Sequence, residues 1–195
     1  MFGRSKYLDL IGAALALSLL TIGVGLIGMY VVLPLVFPEQ DIGQNLLTAE
    51  EHASYILEQA AIAAVRQAMA AGIFKATCSA LACGIVWLFI ASVWTPDRPG
   101  TAGMRGYVWT ALWAATAIGA WFLCAWPLAG IGMFIKKPEA FLAFRVVATS
   151  WAFLAFGLVT WVTTPSIAVP ALGPLGRLRY GIVRQFKPLF SRVVE

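Results

Sequence analysis

Four long stretches of this chain contain no Asp, Glu, Lys, Arg or His. They cover residues 10–38, 76–96, 106–135 and 146–176. An α-helix rises about 1.5 Å per residue, so roughly 20 apolar residues cross a hydrocarbon core about 30 Å thick. Each stretch reaches that length. The pattern therefore predicts an all-α, polytopic membrane protein with four transmembrane helices.

The composition agrees with a membrane protein, since 61% of the residues are hydrophobic and 12% are charged. Soluble domains average about 45–50% apolar and about 25% charged residues. Arg4 and Lys6 precede the first stretch, as in a secretory signal, but the apolar segment continues to Phe37. A signal peptide has an apolar core of only about 7–15 residues, so we expect a retained membrane anchor.

We expect one membrane domain that covers residues 1–195. Its spans are predicted at about 8–36, 73–95, 107–135 and 143–164, with ends marked by prolines and basic residues. Between the first two spans, residues 38–72 read as a loop followed by a helix that extends the second span. The capping-box pair Thr48 and Glu51 and the alanine-rich run after it favour that helix.

The distribution of basic residues predicts the orientation. Nine of the 14 Lys and Arg residues lie on the side of the two termini: Arg4, Lys6, Arg98, Arg105, Arg177, Arg179, Arg184, Lys187 and Arg192. Because basic residues are retained on the cytoplasmic side, both termini are expected in the cytoplasm and the 38–72 segment outside it. The expected location is the cytoplasmic (inner) membrane of a bacterium.

A ridge of small residues recurs at every fourth position of the second span and its extension. Its members are Ala60, Ala64, Ala68, Gly72, Ala76, Ala80 and Gly84, and the third span carries a shorter version, Ala111, Ala115 and Gly119. In lipid, small residues let helix backbones approach closely and favour association. We interpret the longer ridge as one helix-packing face, used within the chain or against a partner subunit. The alternative is that alanine is simply abundant here.

The C-terminal tail, residues 174–195, has the pattern of a basic amphipathic helix. Apolar residues recur at three- and four-residue steps and so form one face of a helix. The basic residues mostly lie off that face; they are Arg177, Arg179, Arg184, Lys187 and Arg192. Such a helix binds anionic lipids at the surface of the cytoplasmic leaflet. Docking to a partner subunit is the alternative. Direct nucleic-acid binding is not expected, because the basic residues are interleaved with large aliphatic ones.

The sequence offers no convincing catalytic, cofactor or metal site. Gly23, Gly25 and Gly28 spell a GxGxxG string, but it lies within a span and lacks the preceding strand of a dinucleotide site. His52 is the only histidine, and Glu51 and Glu58 accompany it. One imidazole among carboxylates is a weak site for zinc, copper or haem. We expect that the protein binds no cofactor and is not an enzyme. A membrane enzyme that uses the acidic face formed by Glu51, His52 and Glu58 is a third hypothesis.

The leading functional hypothesis is a non-catalytic accessory subunit of a larger membrane complex, with other membrane proteins as partners. Transporters generally place ionisable groups near the bilayer midplane. None of the four uncharged stretches supplies one. The main rival is a small transporter or channel component that forms its pathway as an oligomer.

The stretch after the first span resembles the DUF4400-type membrane proteins of conjugative elements. The resemblance rests on Pro38, Glu39 and Gln40 followed by the segment from His52 to Glu58, about twenty residues in all. Phe37 stands where that type usually has Trp, and the insertion before the histidine is longer. The resemblance implies an accessory role beside the coupling ATPase of a conjugative (type IV) secretion system.

Overall fold

The structure, a computed structural model, describes residues 4–40, 42, 55–93, 101–129, 138–164 and 172. These residues are 95% helical and contain no strand. Four helical segments are long and apolar enough to cross a membrane: Leu10–Val36, Glu58–Ser92, Gly106–Leu128 and Pro138–Thr163. The prediction of an all-helical chain with four such helices is therefore confirmed for the described residues.

Five α-helices and two short turns build these segments. In chain order they are α1 (Arg4–Ile27), a π-helical turn (Gly28–Val32), α2 (Leu33–Val36), α3 (Tyr55–Val93), α4 (Thr101–Leu123), a 3₁₀ turn (Trp126–Leu128) and α5 (Pro138–Thr163).

The first span passes a proline without breaking. Pro34 has no backbone N–H, so it cannot donate the usual hydrogen bond to the preceding turn. The π-helical turn lies just before it, and there the Leu33 N–H bonds to the Gly28 carbonyl, one residue further back than in an α-helix. α1, the π turn and α2 thus form one span, which ends where Phe37 leaves the helical region with φ −128° and ψ 77°.

Helix α3 is one uninterrupted helix of 39 residues, Tyr55–Val93. At about 1.5 Å per residue it is roughly 58 Å long, nearly twice the thickness of a hydrocarbon core. It passes Gly72, where the sequence would permit a bend, without leaving the helical conformation. One helix therefore contains both the second apolar stretch and most of the alanine-rich run before it.

Prolines mark the end of α4 and the start of α5. α4 ends at Leu123, because Pro127 cannot continue the helix; the chain tightens into the 3₁₀ turn, where the Leu128 N–H bonds to the Ala125 carbonyl at 3.1 Å. α5 begins at Pro138, since proline fits the first turn of a helix, where its missing N–H is not needed.

Helices α3 and α5 form the central pair of the bundle. α1 and α4 each pack against both of them. The first span and α4 finish at the end of the bundle where α3 and α5 begin, and we call this the Arg66 end. Most buried large side chains belong to two clusters. One lies at the Arg66 end, around Met69, Ile73 and Phe144. The other lies farther from that end, around Trp87, Trp109 and Phe156.

Hydrogen bonds between helices tie the bundle together. The donor–acceptor pairs are Trp87 Nε1 to Thr164 Oγ1 (2.8 Å), Trp109 Nε1 to Thr160 Oγ1 (3.2 Å), Trp113 Nε1 to the Phe153 carbonyl (2.7 Å), Trp151 Nε1 to the Val24 carbonyl (3.1 Å) and Ser79 Oγ to the Thr116 carbonyl (3.0 Å). Inside a membrane such bonds add to van der Waals packing in holding helices together.

Candidate docking surface and groove

The small-residue ridge of α3 divides into a covered part and an exposed part. Gly72, Ala76, Ala80 and Gly84 are buried, Ala68 is half-buried, and Ala60 and Ala64 are exposed. The ridge is therefore not one face against one neighbour, as the spacing alone suggested.

The reason is the pitch of the helix. Four residues turn an α-helix by about 400°, so each step along the ridge rotates by about 40°. Six steps accumulate about 240°, and the two ends of the ridge point to different sides of α3. Only the part that passes under the other helices is covered.

The covered part brings helices into very close contact. A Cβ atom placed on Gly72 would lie 2.7 Å from the carbonyl oxygen of Cys124 and 2.9 Å from the ring of Phe144. One on Gly84 would lie 2.9 Å from the Leu17 side chain. A larger residue at Gly72 requires the backbone at Cys124 to move, whereas one at Gly84 requires the Leu17 side chain to shift. The covered part of the ridge is therefore a packing surface within the chain.

The shorter ridge of α4 divides in the same way. Ala111 and Ala115 are exposed, whereas Gly119 faces Ser79 of α3, at 3.2 Å from a Cβ placed on the glycine. Two small residues of α4 thus remain on the outside of the bundle, as Ala60 and Ala64 do on α3.

The GxGxxG string lies inside α1 and in the π turn. A Cβ on Gly28 would lie 2.8 Å from the Ile73 side chain, and one on Gly25 would make ordinary contact with Phe74 and Thr77 at 3.5 Å. Gly23 has nothing within 4 Å. Gly25 therefore packs against α3, and Gly28 packs against both α3 and the Trp151 ring of α5.

Arg145 has a role that the sequence did not reveal. It lies two turns into α5, and its Nε and Nη2 atoms donate to the Trp121 carbonyl at 3.1 and 2.8 Å. Its guanidinium also lies 4.1 Å from the centre of the Trp121 ring and 5.4 Å from that of Phe141. The last carbonyls of a helix lack intrahelical partners and carry partial negative charge. Arg145 therefore caps the C-terminus of α4.

A second cation lies near the same level. Lys75 Nζ is 5.7 Å from the centre of the Trp126 ring, and both side chains are exposed. Basic and aromatic side chains prefer the level of the lipid headgroups. Lys75 with Trp126 and Arg145 with Trp121 are thus two cation–aromatic pairs near the end of α4.

An open groove lies between the end of the first span and α3. Its volume is about 660 Å³, and its lining is largely apolar. Met29, Tyr30 and Leu33 form one wall, and Ala70 and Phe74 lie on the α3 side.

Arg66 and Glu39 stand at the polar end of this groove. Arg66 Nη1 donates to Glu39 Oε1 in an ion pair, and the two side chains are 39% and 61% exposed. The same two residues also line an adjoining cavity of about 450 Å³, together with Phe37, Pro38 and Gln40. The ion pair therefore lies where an apolar groove meets a more polar cavity.

Several predicted site residues lie outside the described residues. They are Glu51 and His52 of the acidic face and the whole basic tail, Arg177, Arg179, Arg184, Lys187 and Arg192. Among the described residues, no group of three or more His, Cys, Asp or Glu side chains could hold a metal ion.

No known family model matches this sequence, and comparisons with curated proteins and with solved structures find no match. The resemblance to the DUF4400 type therefore rests on the stretch from Pro38 to Glu58 alone.

Proposed function

We propose that this protein is a non-catalytic integral-membrane subunit of a larger membrane complex, and that it contacts a partner membrane protein through the exposed part of the α3 ridge. The observation that carries the proposal is the division of the ridge: Gly72 to Gly84 pack within the chain, while Ala60 and Ala64 continue the same pattern on a helix surface that no other described helix covers. Small residues in this spacing allow a second helix to approach closely.

The polar groups inside the bundle support a scaffolding role. The buried hydroxyls of Thr21, Thr77, Thr116 and Thr160 donate to carbonyls one turn earlier in their own helices, and Thr160 also accepts from an indole of α4. The single proton of each hydroxyl is therefore used within its own helix, and Thr160 also links two helices. A hydrated path for a substrate needs polar groups that are free to contact water or an ion.

The test is the stoichiometry of the native assembly. The protein is extracted from its own membrane in mild detergent and weighed intact by native mass spectrometry. The proposal predicts a defined complex with a different membrane protein, lost with Ala64→Leu but retained with Ala82→Leu, which changes an exposed alanine elsewhere on α3.

Two other outcomes contradict the proposal. If the extracted protein is a monomer with no co-purifying chain, there is no stable partner. A symmetric homo-oligomer that conducts ions or solutes when reconstituted supports the rival transporter or channel.

We also propose that both termini lie in the cytoplasm of a bacterium and that the basic tail binds anionic lipids of the inner leaflet. The excess of Lys and Arg on the side of the termini supports this orientation. Cysteines placed singly at Ser5 and Ser191, in a chain whose own cysteines are changed to serine, should react with a membrane-impermeant maleimide only after the cytoplasmic side is opened. Labelling of intact cells at both sites would reverse the topology.

A further inference from the structure

The groove beside the first span combines an apolar channel with a pair of opposite charges at one end. Met29, Leu33, Ala70 and Phe74 supply the apolar lining, and the Arg66–Glu39 ion pair stands at its polar end. Its volume of about 660 Å³ lies within the range of small-molecule sites, which is about 300–1,000 Å³. An amphiphile fits this arrangement better than a uniformly apolar or polar ligand.

The position of the groove points to a membrane lipid. The groove lies between the ends of two helical segments that are long and apolar enough to cross a membrane, Leu10–Val36 and Glu58–Ser92. Glu39 lies three residues beyond the first segment and pairs there with Arg66 of the second. A phospholipid beside these two helices would place its headgroup near Arg66 and its upper acyl chain beside Leu33 and Phe74.

The ion pair selects among headgroups. Arg66 has five N–H donors, of which the ion pair with Glu39 uses one nitrogen, and a guanidinium binds phosphate through two parallel hydrogen bonds. Glu39, 61% exposed, has acceptor capacity left for a primary ammonium. A headgroup whose only charge is its phosphate would place a negative charge near the Glu39 carboxylate, which would repel it. A choline headgroup has no N–H to donate.

We propose that this groove binds one phospholipid of the phosphatidylethanolamine type, with its phosphate on Arg66, its ammonium on Glu39 and one acyl chain along the Met29–Phe74 channel. The adjoining cavity beside Pro38 and Gln40 gives the headgroup room. Ala60 and Ala64 do not line the groove, but Ala63 and Gln67 beside them on α3 do, so this site adjoins the proposed partner surface.

The test compares lipids that differ only at the amine. The full-length protein is placed in nanodiscs of equal amounts of phosphatidylethanolamine, its N-methyl and N,N-dimethyl forms and phosphatidylcholine, then extracted, and the retained lipids are weighed by native mass spectrometry. We expect phosphatidylethanolamine to be retained about five-fold more than phosphatidylcholine, the size of effect of one partly exposed charge pair. Retention should fall with each added methyl group. Equal retention along the series overturns the proposal without requiring any variant.

Two variants assign the headgroup contacts. Glu39→Gln should abolish the preference for the ammonium and raise retention of phosphatidylglycerol, whereas Arg66→Gln should lower retention of all phospholipids. Lys75→Gln, which removes a nearby exposed cation outside the groove, is the matched control and should leave the lipid profile unchanged. Circular dichroism verifies that each variant is folded. Selective retention of anionic lipid by the wild type, or an unchanged preference in Glu39→Gln, contradicts the assignment.

Discussion

The two halves of helix α3 carry the same small-residue pattern and have opposite environments. In the inner half, Gly72 and Gly84 touch side chains and backbone of three other helices. In the outer half, Ala60 and Ala64 are exposed, and the nearby Arg66 reaches across to Glu39, just beyond the end of the first span. The comparison shows that a repeat at every fourth residue identifies a helix that can pack closely but does not tell which part of it is covered, because the ridge winds around the helix.

The largest expected effect comes from filling the inner half. Gly72→Leu places a side chain against the Cys124 carbonyl, which lies 2.7 Å from the first atom added. Backbone cannot yield as a flexible side chain can, so we expect a loss of about 2–3 kcal/mol in the free energy of unfolding. Titration with sodium dodecyl sulfate in mixed micelles, followed by tryptophan fluorescence, measures it. Ala64→Leu in the outer half is the control and should change stability by less than about 0.5 kcal/mol; equal losses in both would remove the distinction between the halves.

Removing the cap of α4 should have the next largest effect. Arg145→Met keeps much of the apolar stem but leaves the Trp121 carbonyl without its two charged N–H donors. Hydrogen bonds to charged groups contribute about 1.5–3 kcal/mol, and we expect a loss of about 2 kcal/mol in the same micelle titration. Lys75→Met, which removes only an exposed cation near Trp126, should cost less than about 1 kcal/mol. A larger effect at Lys75 than at Arg145 would contradict the capping role.

A smaller effect is expected from an interior hydrogen bond. Trp109→Phe keeps an aromatic ring beside Phe156 but removes the N–H that bonds to Thr160 and part of the buried ring system. Hydrogen bonds between membrane helices average about 0.6 kcal/mol, so we expect a loss of about 1 kcal/mol including the smaller ring. Far-UV circular dichroism follows unfolding here, since the change alters fluorescence. Trp126→Phe, at an exposed tryptophan, should be nearly neutral.

The smallest effect on stability is expected in the outer half itself. Arg66→Gln breaks an ion pair whose partners are both well exposed, and such pairs contribute between zero and about 1 kcal/mol. Stability in the micelle titration should therefore hardly change, while the profile of retained lipids does. A loss as large as that of Gly72→Leu would show that the ion pair holds the fold together and is not mainly a binding feature.

The membrane spans could be predicted from the sequence because a run of about 20 uncharged residues has few alternatives to a helix across a bilayer. Pro127, within the third uncharged run, marks the end of α4 at Leu123. Pro34 shows the opposite case, in which a proline within a span is tolerated by a π-helical turn.

The cap on α4 could not be read from the sequence. Arg145 and Trp121 lie 24 residues apart on different helices. The only available signal was a basic residue just inside the start of a predicted span, where a charge needs a partner. The groove was equally hidden, because its lining comes from two helices separated by residues 43–54.

The sequence by itself determined that this chain has four helices long and apolar enough to cross a membrane and that α3 carries closely spaced small residues. Both follow from local composition. A run of apolar residues in lipid forms a helix because lipid cannot hydrogen-bond the backbone, and the spacing of the alanines and glycines is read directly from the sequence. Only the tertiary structure decided which part of the ridge is covered, that Arg145 closes the end of α4, and that Glu39 and Arg66 meet beside an apolar groove. These depend on how far each helix has turned when it meets its neighbour, a property that no single segment contains.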